Sequence, residues 1–523
     1  MTRRTGFTAS LGHILRLGRA GFILAREGVF ADIDPALLPP QAQTLRPFLL
    51  AIARERGGLR EKRLARAIER LGPSYVKLGQ FLATRPDIVG MATARNLESL
   101  RDRVAPFDQA TARAIVENSL GMPIEENFSS FGAPVAAASI AQVHRASVGA
   151  QTVAVKIARP GVERRFAIDL SDMMYAAKVA ERRSDEAQRL RLTQIVETLA
   201  RGVKLEMDFR LEAAAAAEFA ENNREHPDFV VPSIDWDRTA RQVLTTQWMD
   251  GLPLSDVAGL RAAGHDTVAL ARILIQSFLR HAMHDGFFHA DMHQGNLLAD
   301  AQGRLVAVDF GIMGRLGDKE RRFLAEILYG FITKDYLRVA QVHFDAGYVP
   351  AHHSVEEFAQ AIRAIGEPIH ARRADEISMA RLFTLLFEVT SLFEMQTRPE
   401  LVLLQKTMVV VEGVARDLDP HLDIWKTAEP VVRRWIEENL GPAAHLKDAS
   451  TGLAEVARIA RRFPEFVGKM EIIAARLDKM TGEGIAIAPS AVRGIEAAQR
   501  RAQRVGHWAL WLLAIGVLVL ILR

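Results

Sequence analysis

At 523 residues the chain is too long for a single hydrophobic core, and its length alone suggests about three domains. Hydrophobic residues at 49% and charged residues at 25% are ordinary globular values, and a formal charge of +4 spread over this length gives no concentrated basic face for nucleic acid. With no cysteine, the chain cannot form disulfides, use a thiolate nucleophile or hold an iron–sulfur cluster.

The first 26 residues carry five arginines ahead of the first acid, Glu27. Leu11, Ile14, Leu15, Phe22 and Ala25 fall on one face at helical spacing. No uninterrupted apolar core or small-residue cleavage site is present, so this is not a secretory signal. Two readings stand: a basic amphipathic helix lying on anionic lipid, or a helix packed on its own domain. Residues 1–110 form a helical extension. Within it, Pro73 suits the first turn of a helix because its missing N–H would be unpaired there, and Arg85-Pro86 ends the segment.

From Phe128 the pattern turns to short strands. The runs ASIAQVHRASV and TVAVKIA flank Gly149 and read as a hairpin. A helical stretch from Val162 to Asn223, with alanines 213–217 as its strongest helix formers, interrupts a small lobe over 111–250. Two strands follow, near Phe229–Ile234 and Gln242–Met249, and Asp250-Gly251 marks a joint. A larger, mainly helical lobe occupies 251–442, with strands at Leu297–Leu298 and Arg304–Val308. A charge-rich helical tail covers 443–504. The last segment, Val505–Leu522, has His507 as its only titratable group. It meets the roughly 17–25 apolar residues that a membrane span requires. Trp508 and Trp511 sit at one end, where an interfacial belt would lie, and Arg500, Arg501 and Arg504 precede it. The positive-inside rule then leaves the bulk of the chain on the cytoplasmic side of a bacterial-type inner membrane. A buried terminal helix or a dimer contact is the alternative for this segment.

The chemistry concentrates in FFHADMHQGNLLADAQGRLVAVDFG, residues 287–311. Asp291 and Asn296 form D-x-x-x-x-N, and D-F-G begins thirteen residues later at Asp309. Phosphate chemistry on a nucleotide calls for a hard divalent cation with oxygen ligands, which one carboxylate and one amide oxygen supply. In protein kinases those ligands are the DFG Asp and the catalytic-loop Asn, here Asp309 and Asn296, while the loop Asp, here Asp291, orients or deprotonates the nucleophile. Either motif alone is common; both, at this spacing with a short strand between, are specific. His289 stands where the catalytic-loop histidine of kinases packs. A zinc pair from His289 and His293 is the weaker reading, because the loop contains Gly295, lacks helical periodicity and offers no third ligand. Lys156, in VAVKIA, sits where a strand lysine would reach the α/β phosphates and a helix glutamate. Taken alone it reads as solvent-facing. The helix offers Glu206, Asp208, Glu212 and Glu218 as partners, and spacing does not choose among them. Where kinases have a glycine-rich loop, this chain has Ala136-Ala137-Ala138-Ser139-Ile140-Ala141, which restricts close backbone approach to phosphate.

Together these residues resemble the UbiB family of atypical kinases, the ADCK-like group, over roughly residues 60–430. LGPSYVKLGQFLATRPDI carries the family's K-x-G-Q as Lys77, Gly79 and Gln80. AAASIAQVHRA is similar to its alanine-rich loop, and LEMDFRLEA to its E-x-D element as Glu206 and Asp208. HADMHQGN and VDFG match its catalytic and metal loops, with Met292 and Gln294 where the family usually has proline.

The resemblance implies an α+β, protein-kinase-like two-lobed fold with an N-terminal helical extension and a C-terminal helical region ending in a transmembrane helix. It implies Lys156 and Ala136–Ser139 at the nucleotide, Glu212 pairing Lys156, and Lys77, Gln80, Glu206 and Asp208 as regulatory residues that cover the active site. The expected cofactors are ATP (or ADP) and Mg2+. The expected function is a membrane-bound ATPase supporting ubiquinone biosynthesis, with membrane lipids, prenyl-quinone precursors and quinone-biosynthesis enzymes as partners; a homodimer stays open. A nucleotide-binding lipid chaperone or scaffold, and a kinase acting on a lipid hydroxyl, are the competing functions.

Overall fold

In the computed structural model the described residues fall in 4–31, 63–83, 91–98, 105–183, 191–370, 392–395 and 399–441, with a few isolated positions between. The tail at 443–504 and the apolar segment at 505–522 lie outside them. Among the described residues no helix is long and apolar enough to cross a membrane.

The small lobe is a four-stranded antiparallel sheet of β1 (Ser130–Ala137), β2 (Ala141–Val148), β3 (Gln151–Ala158) and β5 (Val243–Gln247), in that order. The predicted hairpin is β2–β3, and Gly149 supplies its left-handed turn residue at φ +58°. On one face of the sheet Val153, Val155 and Ile157 pack against α5 (Gln109–Leu120), whose Asp108 cap accepts from the Thr111 N–H at 2.8 Å.

The strand β4 (Phe229–Val230) departs from the sequence expectation. It pairs in parallel with β9 (Leu305–Ala307) of the larger lobe, in a second sheet ordered β4-β9-β8-β6 with β8 (Leu297–Ala299) and β6 (Leu252–Pro253). The chain thus visits the larger lobe at 229–230 before returning to the small sheet at β5. Pro232 follows the excursion and keeps it short. A further pair, β7 (Phe287–His289) with β10 (Met313–Arg315), brackets the chemical loop. Three-residue strands carry too little periodicity to be read from sequence.

The helical extension and the helical insertion share one core. Helices α2 (Arg63–Leu71), α3 (Pro73–Ala83) and α4 (Met91–Glu98) bury Ile68, Leu71, Val76, Leu78 and Leu97 together with Met173 and Ala177 of α7 (Val162–Arg183) and Ile195 and Leu199 of α8 (Leu192–Glu206). Ile140, at the tip of the alanine loop, belongs to the same cluster. Gly79 is buried where a Cβ would press on Leu100 and come within 3.3 Å of Ile68, so the glycine of K-x-G-Q serves close helix packing.

The first helix, α1 (Arg4–Arg26), packs on its own domain by a face that shares Ala25 with the one its sequence suggests but leaves out Leu15 and Phe22. Leu17, Ala20, Leu24 and Ala25 are buried, whereas Leu15 and Phe22 are exposed. Polar clamps select that face: His13 Nδ1 and Arg16 Nε lie 2.5 and 2.6 Å from the carboxylate of Asp172, which is buried on α7.

The larger lobe is built on α11 (Thr267–Arg280), α12 (Asp318–Thr333), α15 (Pro399–Leu418) and α16 (Ile424–Leu440), whose apolar faces form the largest core with β7–β9. Gly314 on β10 sits directly across from Phe288, which is fully buried, and a Cβ there would collide with three of its ring carbons. Gly314→Ala is therefore expected to destabilise the lobe by about 1–3 kcal/mol. Thermal unfolding checks this, and a wild-type midpoint would show that the β7–β10 ribbon is not packed as described.

Candidate active site

The site is assembled where β3, α9 (Phe209–Asn222) and the 287–311 segment meet between the lobes. Lys156, paired with Val143 and Leu244 across the central strands, is held to one direction by the sheet register. Its Nζ donates to Glu212 Oε1 at 2.7 Å and Oε2 at 2.9 Å, and reaches Asp309 Oδ1 at 3.4 Å. Of the four acids offered by the helix region, the structure selects Glu212, which is 8% exposed. Glu218 instead pairs with Arg315.

Electrostatics follows from this triad. Burial opposes the charge on Asp309, but the Lys156 ammonium and the Gly311 N–H, which donates to Oδ1 at 3.0 Å, hold it below the usual carboxylate range. Burial likewise works against the Lys156 ammonium, and the carboxylates of Asp309 and Glu212 outweigh it and raise its pKa. For Glu212 burial wins: its pKa is pushed up to about 7, with Lys156 restraining the rise and Asp309 adding to it. Gly311 packs here too, since a Cβ on it would lie 3.2 Å from Asp309 Oδ1 and 3.9 Å from Glu212 Oε2.

Phe310 turns inward. Its ring lies 5.5 Å from Phe219 of α9 and 5.4 Å from His289. The helix that supplies Glu212 is thus tied to the loop that supplies Asp309 by an aromatic contact as well as an ionic one. His289 is fully buried, and burial lowers its pKa, so the ring is neutral and Nδ1 accepts the Asp291 N–H at 3.0 Å. Asn296 Nδ2 donates to the Asp291 carbonyl at 3.1 Å and lies 3.4 Å from its carboxylate. The Val308 N–H donates to the Asn296 carbonyl at 3.1 Å, which sets the loop beside Asp309. His293 faces Asp291 at 3.6 Å, while its Nδ1 accepts the Gly295 N–H, so with His289 buried the two histidines do not form a ligand pair.

The other predicted positions are placed less uniformly. Ala136 and Ala137 are paired strand residues, opposite Val143 and Gln142, so the turn itself is only Ala138–Ile140. Arg159 pins that turn: its N–H donates to the Ile140 carbonyl and its Nε to the Ala138 carbonyl, each at 2.7 Å. Ser139 is buried, its hydroxyl covered rather than open to the cleft. Lys77 on α3 forms an ion pair with Glu206 at the end of α8, and Gln80 stands half-buried on α3. Asp208 caps α9, accepting the Arg210 N–H at 3.2 Å and pairing the Arg210 guanidinium at 2.6 Å. An aspartate before a helix in β-region backbone is the usual N-cap arrangement.

Comparison with known proteins agrees with this geometry. The ABC1 atypical kinase-like domain matches residues 99–343 and the UbiB helical domain residues 362–423. Proteins named "Probable protein kinase UbiB" are similar over most of the chain. The one from Marinobacter nauticus is 39% identical over 414 residues, covering 78% of this chain and 76% of the relative. That from Xanthomonas oryzae pv. oryzae is 36% identical over 468 residues, covering 87% and 84%. The chain belongs to the UbiB family. Among solved structures, the complex of Rv3197 with erythromycin from Mycobacterium tuberculosis shares the fold, with TM-score 0.51 and 24% identity over 70% of this chain and 90% of that one.

The UbiB helical domain contributes contacts that the sequence reading missed. Thr407 on α15 is buried, and its hydroxyl lies 3.0 Å from the Ala290 carbonyl, one residue before Asp291. Ten residues on, Asp417 accepts from Gln294 Nε2. One helix therefore holds the catalytic loop at both ends. A threonine in an apolar helix gives no sequence signal of a bond made more than a hundred residues away.

Two outcomes are expected. Thr407→Val removes a hydroxyl shared between the Leu403 carbonyl at 2.8 Å and the Ala290 carbonyl at 3.0 Å, and costs about 1 kcal/mol of stability, seen by thermal unfolding. Lys156→Met removes the charge that restrains Glu212, so its folded pKa climbs above about 7. A carboxyl whose pKa is raised by folding contributes stability below its unfolded pKa, near 4.3, and that contribution is lost as pH rises through the folded value. The Lys156→Met melting temperature should fall relative to wild type from pH 6 to pH 9, and adding Glu212→Gln should flatten the difference. Parallel curves for the single variant and wild type would contradict the assignment.

Proposed function

We propose that this UbiB-family chain is a membrane-bound, magnesium-dependent ATPase that supports ubiquinone biosynthesis. The observation that carries the reading is the convergence of Lys156, Glu212 and Asp309 beside the Asp291–Asn296 loop. The donor set suits a hard cation. Asn296 spends its amide nitrogen on Asp291, which leaves the amide oxygen, and Asp309 Oδ1 takes the Gly311 and Lys156 hydrogens, which leaves Oδ2. Asp309 and Asn296 would hold Mg2+, which when bound neutralises phosphate charge and orients the β and γ groups.

The remaining work falls to the protein's own groups. Lys156, kept cationic by its two carboxylates, meets the phosphates of ATP or ADP. Glu212 fixes the direction of its ammonium. Asp291, its backbone set by His289 and Asn296, positions the attacking water or acceptor. Lys77 and Gln80 control access from the extension. Membrane attachment rests on the apolar Val505–Leu522 segment, with the kinase-like domain on the cytoplasmic side. Prenyl-quinone precursors are the matching lipid substrates, and quinone-biosynthesis enzymes the matching partners.

Asp309→Asn is expected to abolish Mg2+-dependent ATP binding in isothermal titration; unchanged affinity would remove the metal assignment. Phosphate release measured with detergent and a phenolic quinone-like compound separates the mechanisms. Stimulated release without a phosphorylated lipid supports the ATPase, whereas a labelled lipid supports a kinase. A nucleotide-driven lipid chaperone is the second reading. What favours it is the shared core that joins Ile140 of the alanine loop to α1, with its exposed Leu15 and Phe22. Binding of nucleotide with no release would select it.

A further inference from the structure

The turn before α14 (Val355–His370) carries two adjacent histidines, His352 and His353. A ring nitrogen from each and a carboxylate oxygen of Glu394 all lie within 4.8 Å of one another. Glu394 is remote in sequence, just ahead of α15, and His352 Nε2 stands 3.9 Å from its carboxylate. The kinase-like site uses none of these groups.

Two features set this group apart from a chance surface pair. His353 Nε2 is shut away from solvent with no hydrogen-bond partner among the described residues, an arrangement that costs free energy unless something binds it. Glu394 holds a left-handed backbone at φ +48°, uncommon for a residue with a side chain. Both positions are fixed from behind. The His353 ring packs 5.3 Å from Phe393, which in turn packs 4.9 Å from the fully buried Phe358, and the His353 N–H donates to the Pro350 carbonyl.

We infer that His352, His353 and Glu394 form a binding site for a borderline divalent transition-metal ion, zinc in the first instance, which ties the turn before α14 to the segment before α15. Imidazole nitrogens and a carboxylate are zinc's usual ligands in a cysteine-free chain, and three protein ligands leave the fourth position to water. Bonds of about 2.0–2.2 Å require the donor atoms to draw closer than they now stand. His352 and Glu394 are 62% and 68% exposed, so their side chains are free to turn toward His353. The ion would sit on the helical region, apart from the hard oxygen donors at Asn296 and Asp309, and this inference does not depend on the nucleotide reading.

The test uses the full chain without a histidine tag, treated with EDTA, exchanged into chelator-free buffer with excess Mg2+, and titrated with Zn2+ alone against a chromophoric chelator. One equivalent per chain is expected, with a rise in melting temperature on Zn2+ addition. His352→Ala and Glu394→Gln, both at exposed side chains, should each weaken that equivalent about tenfold or more. His293→Ala, which removes the exposed histidine of the catalytic loop, should leave it intact. No stoichiometric zinc binding, or binding of equal affinity in His352→Ala and Glu394→Gln, overturns the site; so does loss of the equivalent in His293→Ala alone.

Discussion

A lysine that leaves water needs a counter-charge, and the architecture is organised around giving one to Lys156. Its ammonium is shared between Glu212, carried on α9, and Asp309, delivered by the loop after β9. Breaking a buried pair by removing one partner costs more than the pair contributes when intact, because a charge is stranded. One cation thus links the small sheet and α9 to the larger lobe. The Phe219–Phe310 contact repeats the same link in apolar form, so the arrangement does not rest on charge alone.

A second line of connection reaches the site from the N-terminal extension. Lys77 pairs with Glu206 at the end of α8, two residues later Asp208 caps α9, and one turn further along α9 stands Glu212. The extension touches the active site by setting where the glutamate helix begins. The helical domain acts from the other side, through Thr407 on the Ala290 carbonyl. Both accessory regions of the UbiB chain therefore bear on two elements of the candidate site, the helix that carries Glu212 and the loop that carries Asp291 and Asn296.

Much of this was legible in the sequence because phosphate chemistry imposes residue types at narrow spacing. Asp291, Asn296 and Asp309 lie within one short segment, and Lys156, solvent-facing when read alone, was singled out by lying on a strand upstream of them. What stayed hidden depended on distance or competition. Glu206, Asp208, Glu212 and Glu218 were equivalent by spacing; the family resemblance alone pointed to Glu212, and packing shows the partner of each. Asp208 was visible only as a charge, and its place just before a helix makes it a cap. On α1 the apolar count favoured the Leu15–Phe22 face, but Asp172, far along the chain, drew His13 and Arg16 inward and left Leu15 and Phe22 exposed. The β4 excursion was hidden for a related reason, since two residues of strand are specified by the partner they meet.

Arg159 closes β3 only three residues after Lys156, and its bonds to the Ala138 and Ile140 carbonyls splice the turn onto that strand. A glycine-rich flap can lift while the lysine beneath it stays still; here the roof and the lysine are one rigid piece. Lifting that turn away from Lys156 would first have to break both bonds to Arg159 and pull Ile140 out of the core it shares with the N-terminal extension.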